Sequence, residues 1–255
     1  MKIAVCVKAV PDAATGRRIE GNSKRLDRSG ELVLSDFDSH AVEEALRVRE
    51  AAGEGEVVVV SMGPERAADA VRKTLAMGAD RSVLVTDEAL AGADLLVTAR
   101  ALAGALEREG ADLVLFGQQS ADGDGACVWA AVGELLRRPV VSQVSELQVG
   151  PGAVTGKRQT EFGYERVRAP LPAVVAVSDA INEPRYPSLK GIMGAKAKPQ
   201  EKLAAADVGG AGESRTVVLA LAPPPARGES RRVEDGSAND AAEAILEFLA
   251  EKRVL

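Results

Sequence analysis

A chain of 255 residues, 46% hydrophobic and 27% charged, is long enough to bury a full core, and its net charge of −6 argues against a nucleic-acid polyanion as general partner, because that affinity comes from Lys and Arg neutralising phosphates. With aromatics at 3%, the core has to be built from Ala, Val and Leu, which suits helices packed on buried Val-rich strands. Cys6 and Cys127 stand far apart without metal-ligand spacing, which excludes a disulfide framework, points to a reducing compartment and lets both be read as small buried residues.

Residues 2–10 are apolar almost from the start, the pattern of a buried first strand that Pro11-Asp12 ends. That run is too short for a signal segment, and no apolar run approaches the roughly 20 residues of a membrane span, so a soluble, cytoplasmic protein without membrane insertion is expected. Residues 12–31, with Gly16, Gly21-Asn22 and Gly30, read as a loop or hairpin excursion. Ser35 to Ser39 offer N-cap candidates before AVEEALRVREAAG, where the spacing of Val42, Ala45, Leu46 and Arg49 predicts an amphipathic helix ending at Gly53. Val57 to Ser61 is a second buried strand, and Met62-Gly63-Pro64 turns it into a helix running to Gly78. The unit then repeats with a strand at 83–85, a helix over 92–109, a strand at 112–116, a glycine-rich loop from Gly117 to Gly125 and a short helix to Leu136.

Strand and helix alternating over such short connections predict an α/β fold: an open, mostly parallel sheet with helices on both faces, Rossmann-like, whose strand order is not legible. After Pro139, alternating strands at 140–149, 153–158 and 164–168 and a buried strand at 172–177 extend the same domain. Residues 182–199, NEPRYPSLKGIMGAKAKP, hold three prolines, two glycines and the apolar Tyr186, Leu189, Ile192 and Met193, which predicts a projecting segment and no regular core element. The remainder, through Pro223-Pro224-Pro225 to a final helix of about Asn239 to Lys252, reads as an extended tail closed by an amphipathic helix that needs a partner surface.

One histidine, His40, and no Cys-His, Ser-His-Asp or HExxH arrangement leave hydrolytic and metal-dependent catalysis little to work with; His40 itself reads as a surface residue at a helix start. Neither GxxxxGK[ST] nor GxGxxG is present. What remains is the loop GQQSADGDG at 117–125, whose glycines let backbone approach a ligand and which is followed by the helix-start amides of Gly125, Ala126, Cys127 and Val128, able to hold a phosphate. The alternative is a surface loop with tight turns, and Asp122 and Asp124 either cap the helix or repel phosphate.

KAVPD (8–12), AVEEALRVRE (41–50), VSMGPERA (60–67), TLAMGADR (74–81), DLVLFGQQSADGD (112–124) and LPAVVAVSDAINEPRYPSLKGIM (171–193) together resemble the beta subunit of electron transfer flavoproteins, in that family's order over about residues 1–200. RQTEFGYE (158–165) is similar to the family's Arg-x-x-Asp-Gly-Gly-x-Glu pattern, with Phe162 in place of one glycine and Glu161 as the acid. The resemblance implies a nucleotide-binding α/β domain over 1–199 and a C-terminal arm over 200–255 packed on an alpha subunit that carries FAD. It implies AMP lying against Cys6, Ser35, Asp36, Phe37, Asp38 and Met62 and against the loop residues Gly117, Gln119, Asp122, Gly123, Asp124, Gly125, Ala126, Cys127 and Val128. Phe37 would approach the flavin. It also implies a recognition loop at 177–199 that seats Leu189, with Tyr186, Ile192 and Met193, on acyl-CoA dehydrogenases of fatty-acid β-oxidation, electrons passing on to a quinone oxidoreductase. Two departures matter. The basic run after the loop is thinned to Lys196 and Lys198, and SADGDGACV also resembles the DGDTAQ loop of electron-bifurcating members that bind a second FAD and oxidise NADH. AMP is the ligand expected, with that second FAD, or a nucleotide-hydrolysing enzyme using Asp122 and Asp124, as alternatives.

Overall fold

In a computed structural model, which describes residues 1–21, 23–222, 232 and 237–254, the N-terminal apolar run is a central strand of a nine-stranded sheet. In chain order the strands are β1 (Lys2–Val7), β2 (Ala9–Pro11), β3 (Leu32–Leu34), β4 (Glu56–Met62), β5 (Arg81–Val85), β6 (Leu113–Gly117), β7 (Val140–Gly150), β8 (Ala153–Thr160), β9 (Gly163–Pro170), β10 (Ala173–Val177) and β11 (Gln200–Leu203). The helices are α1 (Asp36–Ala52), α2 (Ala68–Met77), α3 (Leu95–Glu109), α4 (Val128–Leu135), α5 (Leu189–Ala195) and α6 (Ala238–Glu251). The sheet order is β11-β5-β4-β1-β6-β10-β7-β8-β9, parallel from β11 through β7 and antiparallel only in the β7-β8-β9 meander. The α/β expectation holds, and β1, β4, β6 and β10 are nearly continuous apolar runs because both faces are covered. Ile3, Val5 and Val7 of β1 pack with α1 and α2 on one face, while Ala4 and Cys6 pack with α3 and α4 on the other.

The helix boundaries follow local chemistry. α1 stops where Gly53 takes a left-handed φ of 74°, and α3 starts at Leu95, three residues later than the periodicity predicts, because Asp94 Oδ1 accepts the Val97 N–H at 3.0 Å. Residues 12–31 are the hairpin-like excursion expected, closed at its base by the antiparallel β2-β3 pair and crossed by an Ile19-Leu26 bridge.

Two expectations are corrected. Residues 182–199 contain a regular element: Ser188 Oγ accepts the Gly191 N–H at 3.0 Å and starts α5, which packs on α2 with Gly191 against the Ala76 carbonyl. Gly191 is where two backbones meet, leaving no room for a Cβ. The sheet also continues past 199. β11 pairs with β5, and a single helical turn at 205–208 buries Ala205 and Val208 against α3, so the chain divides into compact units Met1–Val218 and Leu219–Leu255. Apolar Leu203, Ala205 and Val208, scattered in a polar stretch, hid that continuation from the sequence. In the second unit, Ser237 and Asp240 form a reciprocal capping box for α6, whose Ile245 and Leu246 are exposed; the Pro223-Pro224-Pro225 run lies outside the described residues.

Candidate nucleotide site and docking segment

From β1 the chain moves outward to β4 and β5 and then returns to β6 on the other side of β1, with α1 and α2 on one face and α3 on the other. In open α/β sheets the carboxyl ends of the strands at such a reversal, here β1 and β6, are where ligands bind. Four separated segments meet there. The Ser35 N–H donates to the Lys8 carbonyl at 3.0 Å, and the Lys8 N–H donates to Asp38 Oδ2 at 2.7 Å. The Ala121 N–H donates to Ser35 Oγ at 3.3 Å, and the Trp129 indole donates to the Gln118 carbonyl at 2.8 Å. Gly117 sits so close to the first turn of α1 that a Cβ there would lie 2.5 Å from Asp38 Oδ1 and 2.7 Å from the Phe37 carbonyl carbon.

Cys6, Ser35, Asp38, Gly117 and Asp122 are buried, Phe37 is half-buried, and Met62 ends β4 one position beyond the Val7-Ser61 pair. Asp36, Gly123, Asp124, Gly125 and Cys127 are exposed, with Gln119, Ala126 and Val128 half-buried. Cys127 corrects the expectation that both cysteines are buried: it is the exposed N-cap residue of α4, and the helix turns Val128, Trp129 and Val132 to the core instead. Asp122 is neither cap nor repeller. It accepts from Lys8 Nζ at 2.8 Å and from Arg28 Nη2. His40 is no mere surface residue: its Nδ1 lies 2.9 Å from the Asn182 carbonyl oxygen, a contact that requires the proton on Nδ1. Sequence reasoning missed Lys8, Arg28 and Trp129 as site residues. Lys8 stood inside KAVPD, whereas nothing marked Arg28 among the cations of the excursion.

The electrostatics are set by burial. Burial pushes the Asp38 carboxyl up to about 7, against the Lys8 and Gly117 N–H groups that favour its anion. Burial would also raise Asp122, but the Lys8 ammonium, Ser120 and Arg28 hold it below the usual carboxylate value. Burial, with the Asp38 charge, pushes the Cys6 thiol well up, so it stays protonated and unreactive. Among the described residues the N–H groups of Gly125, Ala126 and Cys127 meet no protein acceptor, so donors stand at the start of α4 that a phosphate would satisfy. Two shallow clefts at the opposite, amino ends of the strands are lined by ion pairs such as Arg81 with Glu109 and Arg49 with Asp80, which tie strand ends to helices and offer no apolar wall.

On the outer side of α1 a second constellation holds residues 182–188. Arg185 donates from Nε to Glu43 at 2.7 Å and from Nη1 and Nη2 to the two Glu50 oxygens at 2.7 and 3.0 Å, while Asn182 Nδ2 donates to the His40 carbonyl at 3.0 Å and to Glu44 at 3.1 Å. Beyond this clasp the apolar groups point away: Tyr186 is 95% exposed, Leu189 75%, Met193 74% and Ile192 54%. Of the two lysines that follow, only Lys196 is exposed; Lys198 Nζ turns inward to cap α2, donating to the Leu75 and Ala79 carbonyls at 2.9 and 2.6 Å.

A doubly wound, mostly parallel sheet whose strand order reverses at β1 defines a Rossmann-like α/β protein. Comparison with known proteins narrows the class. The electron transfer flavoprotein domain matches residues 24–208. The electron transfer flavoprotein subunit beta of Mycobacterium tuberculosis is 38% identical over 99% of both chains. That of Thermoanaerobacterium thermosaccharolyticum is 41% identical over 81% of this chain and 79% of its own. The caffeyl-CoA reductase-Etf complex subunit CarD of Acetobacterium woodii is 34% identical over the whole of both. The chain belongs to the electron transfer flavoprotein family and resembles its beta subunits.

Proposed function

We propose that this chain is the beta subunit of a heterodimeric electron transfer flavoprotein of the cytoplasm. In this reading electrons arrive from acyl-CoA-type dehydrogenases, reside on an FAD held by the alpha subunit and leave to a quinone oxidoreductase; the FAD supplies the one-electron chemistry. The residues of this chain bind and orient. The site at the carboxyl ends of β1 and β6 holds AMP, with the amides at the start of α4 toward its phosphate, Phe37 lies at the flavin side, and the arm from Leu219 on packs on the alpha subunit. The observation that carries the reading is the placement of Leu189: an exposed apolar side chain on a segment clasped to α1 by Arg185 loses little freedom on docking and serves as an anchor for a dehydrogenase.

The test is co-expression with an alpha subunit, acid release and chromatographic counting of nucleotides. One FAD and one AMP per heterodimer is expected, and a complex without flavin overturns the reading. A second reading, electron bifurcation with FAD in this site, is favoured by the likeness of SADGDGACV to the loop of bifurcating members; two FAD and no AMP would establish it.

A further inference from the structure

The excursion between β2 and β3 delivers a cation to the site. Arg28, on its returning limb, and Lys8, just past β1, converge on one carboxylate: Lys8 Nζ lies 2.8 Å from Asp122 Oδ1, and Arg28 Nη2 bonds Oδ2. The excursion is fastened on both flanks, since Arg17 Nη2 donates to the Ala121 carbonyl, and Arg66 Nη1 donates to the Ser29 and Gly30 carbonyls at 3.0 Å each. Arg28 is thus held over the Gly117–Gly125 loop rather than sweeping solvent.

The charges do not cancel. Two cations share one carboxylate, and exposure divides them unequally: the Asp122 side chain is 2% exposed, those of Lys8 and Arg28 42% and 36%. The carboxylate is used up from the inside. The ammonium keeps two donors and the guanidinium most of its five for a group arriving at the site. A pair built only to latch the excursion would need one cation. Two, converging at the reversal of strand order beside a loop with bare amides, form a site for an anion with several oxygens, and a fork plus a point charge suits a phosphate.

Resting on the nucleotide-site reading above, we propose that Lys8 and Arg28 contact the phosphate of the bound nucleotide, with Asp122 as the residue that positions both. Phosphate-dependent affinity then comes from these side chains together with the amides, while the adenosine moiety is held elsewhere in the site.

The experiment is calorimetric titration of the full chain, stripped of nucleotide, with AMP, FAD and adenosine, for the wild type, Lys8→Met and Arg28→Gln. Each substitution is expected to weaken the phosphate-bearing ligand by about 10- to 100-fold, the worth of a charge-assisted hydrogen bond, and to leave adenosine binding unchanged. The salt dependence of AMP or FAD binding should become shallower with each cation lost. Unchanged affinity for the phosphate-bearing ligand in both variants overturns the proposal. So does an equal loss for adenosine, which would make the pair a structural latch. A wild-type chain that binds none of the three overturns the nucleotide-site reading itself, and this proposal falls with it.

Discussion

At Gly117 the end of β6 and the first turn of α1 lie too close for any side chain, because the atoms a Cβ would meet are the Asp38 carboxylate and backbone at Phe37. Gly117→Ala must push the helix start away from the site or turn Asp38 out of its N–H bonds. Overpacking of this kind costs about 1–3 kcal/mol, and a urea-unfolding midpoint unchanged by the substitution would contradict the geometry. Asp38 itself makes a pH prediction. Its carboxyl is raised to about 7 in the fold from 3.8, so between those values the folded state holds a proton that the unfolded state has lost. The stability Asp38 contributes is fully present below about pH 4 and is lost as pH rises through 7, a swing on the order of a few kcal/mol. Carbon-13 shifts of the Asp38 carboxyl should show a midpoint near 7. A midpoint in the ordinary carboxylate range would mean that water reaches the group.

At the scale of elements, the clasp between α1 and residues 182–188 decides whether Leu189 is presented or merely attached. Arg185 shares Glu43, whose side chain is 4% exposed, with Arg47 Nε at 2.8 Å, so removing the guanidinium leaves a buried carboxylate with one cation in place of two. Arg185 is itself about one-third exposed, which reduces the cost. Arg185→Leu is expected to lower global stability by roughly 1 kcal/mol and to raise amide hydrogen exchange through residues 182–195, whereas Leu189→Ala should leave exchange and stability unchanged. Equal protection in Arg185→Leu and wild type would show that α5 is held by its packing on α2 alone. The same elements show what a sequence can reveal. Buried apolar runs at 57–60 and 113–116 and the glycines that end α1 and α2, Gly53 and Gly78, were legible because period and punctuation act locally. Strand order was not, since β10 enters between β6 and β7 only after the β8-β9 hairpin has been built. Nor was the role of Asp122, because its partners Lys8 and Arg28 come from 114 and 94 residues away.

Over the whole molecule, the position of the boundary between the two units can be tested directly. A domain ending at 199 would lose β11, which covers the edge of β5, together with the turn at 205–208. Leu203, Ala205 and Val208, all 5% exposed or less, would leave the core, and the backbone of β5 would become a free edge. Burying a Leu or Val side chain is worth about 1.5–3 kcal/mol, so truncation after Leu203's predecessors, at Pro199, should cost several kcal/mol and promote association through the bared edge. Truncation after Val218 removes only Leu219–Leu255, the separate unit whose helix α6 buries no residue in this chain. The melting temperature of that shorter protein should stay within about 2 °C of the full chain, because no side chain of the first core is lost. In the heterodimer proposed above, the same cut should weaken association with the alpha subunit, where the apolar Ile245, Leu246 and Phe248 face of α6 would find its cover. Calorimetry on the two truncations separates the roles. A large destabilisation on cutting at 218 would show that the arm belongs to the fold of this chain; a loss confined to the cut at 199 places the boundary after Val218 and leaves α6 for the partner.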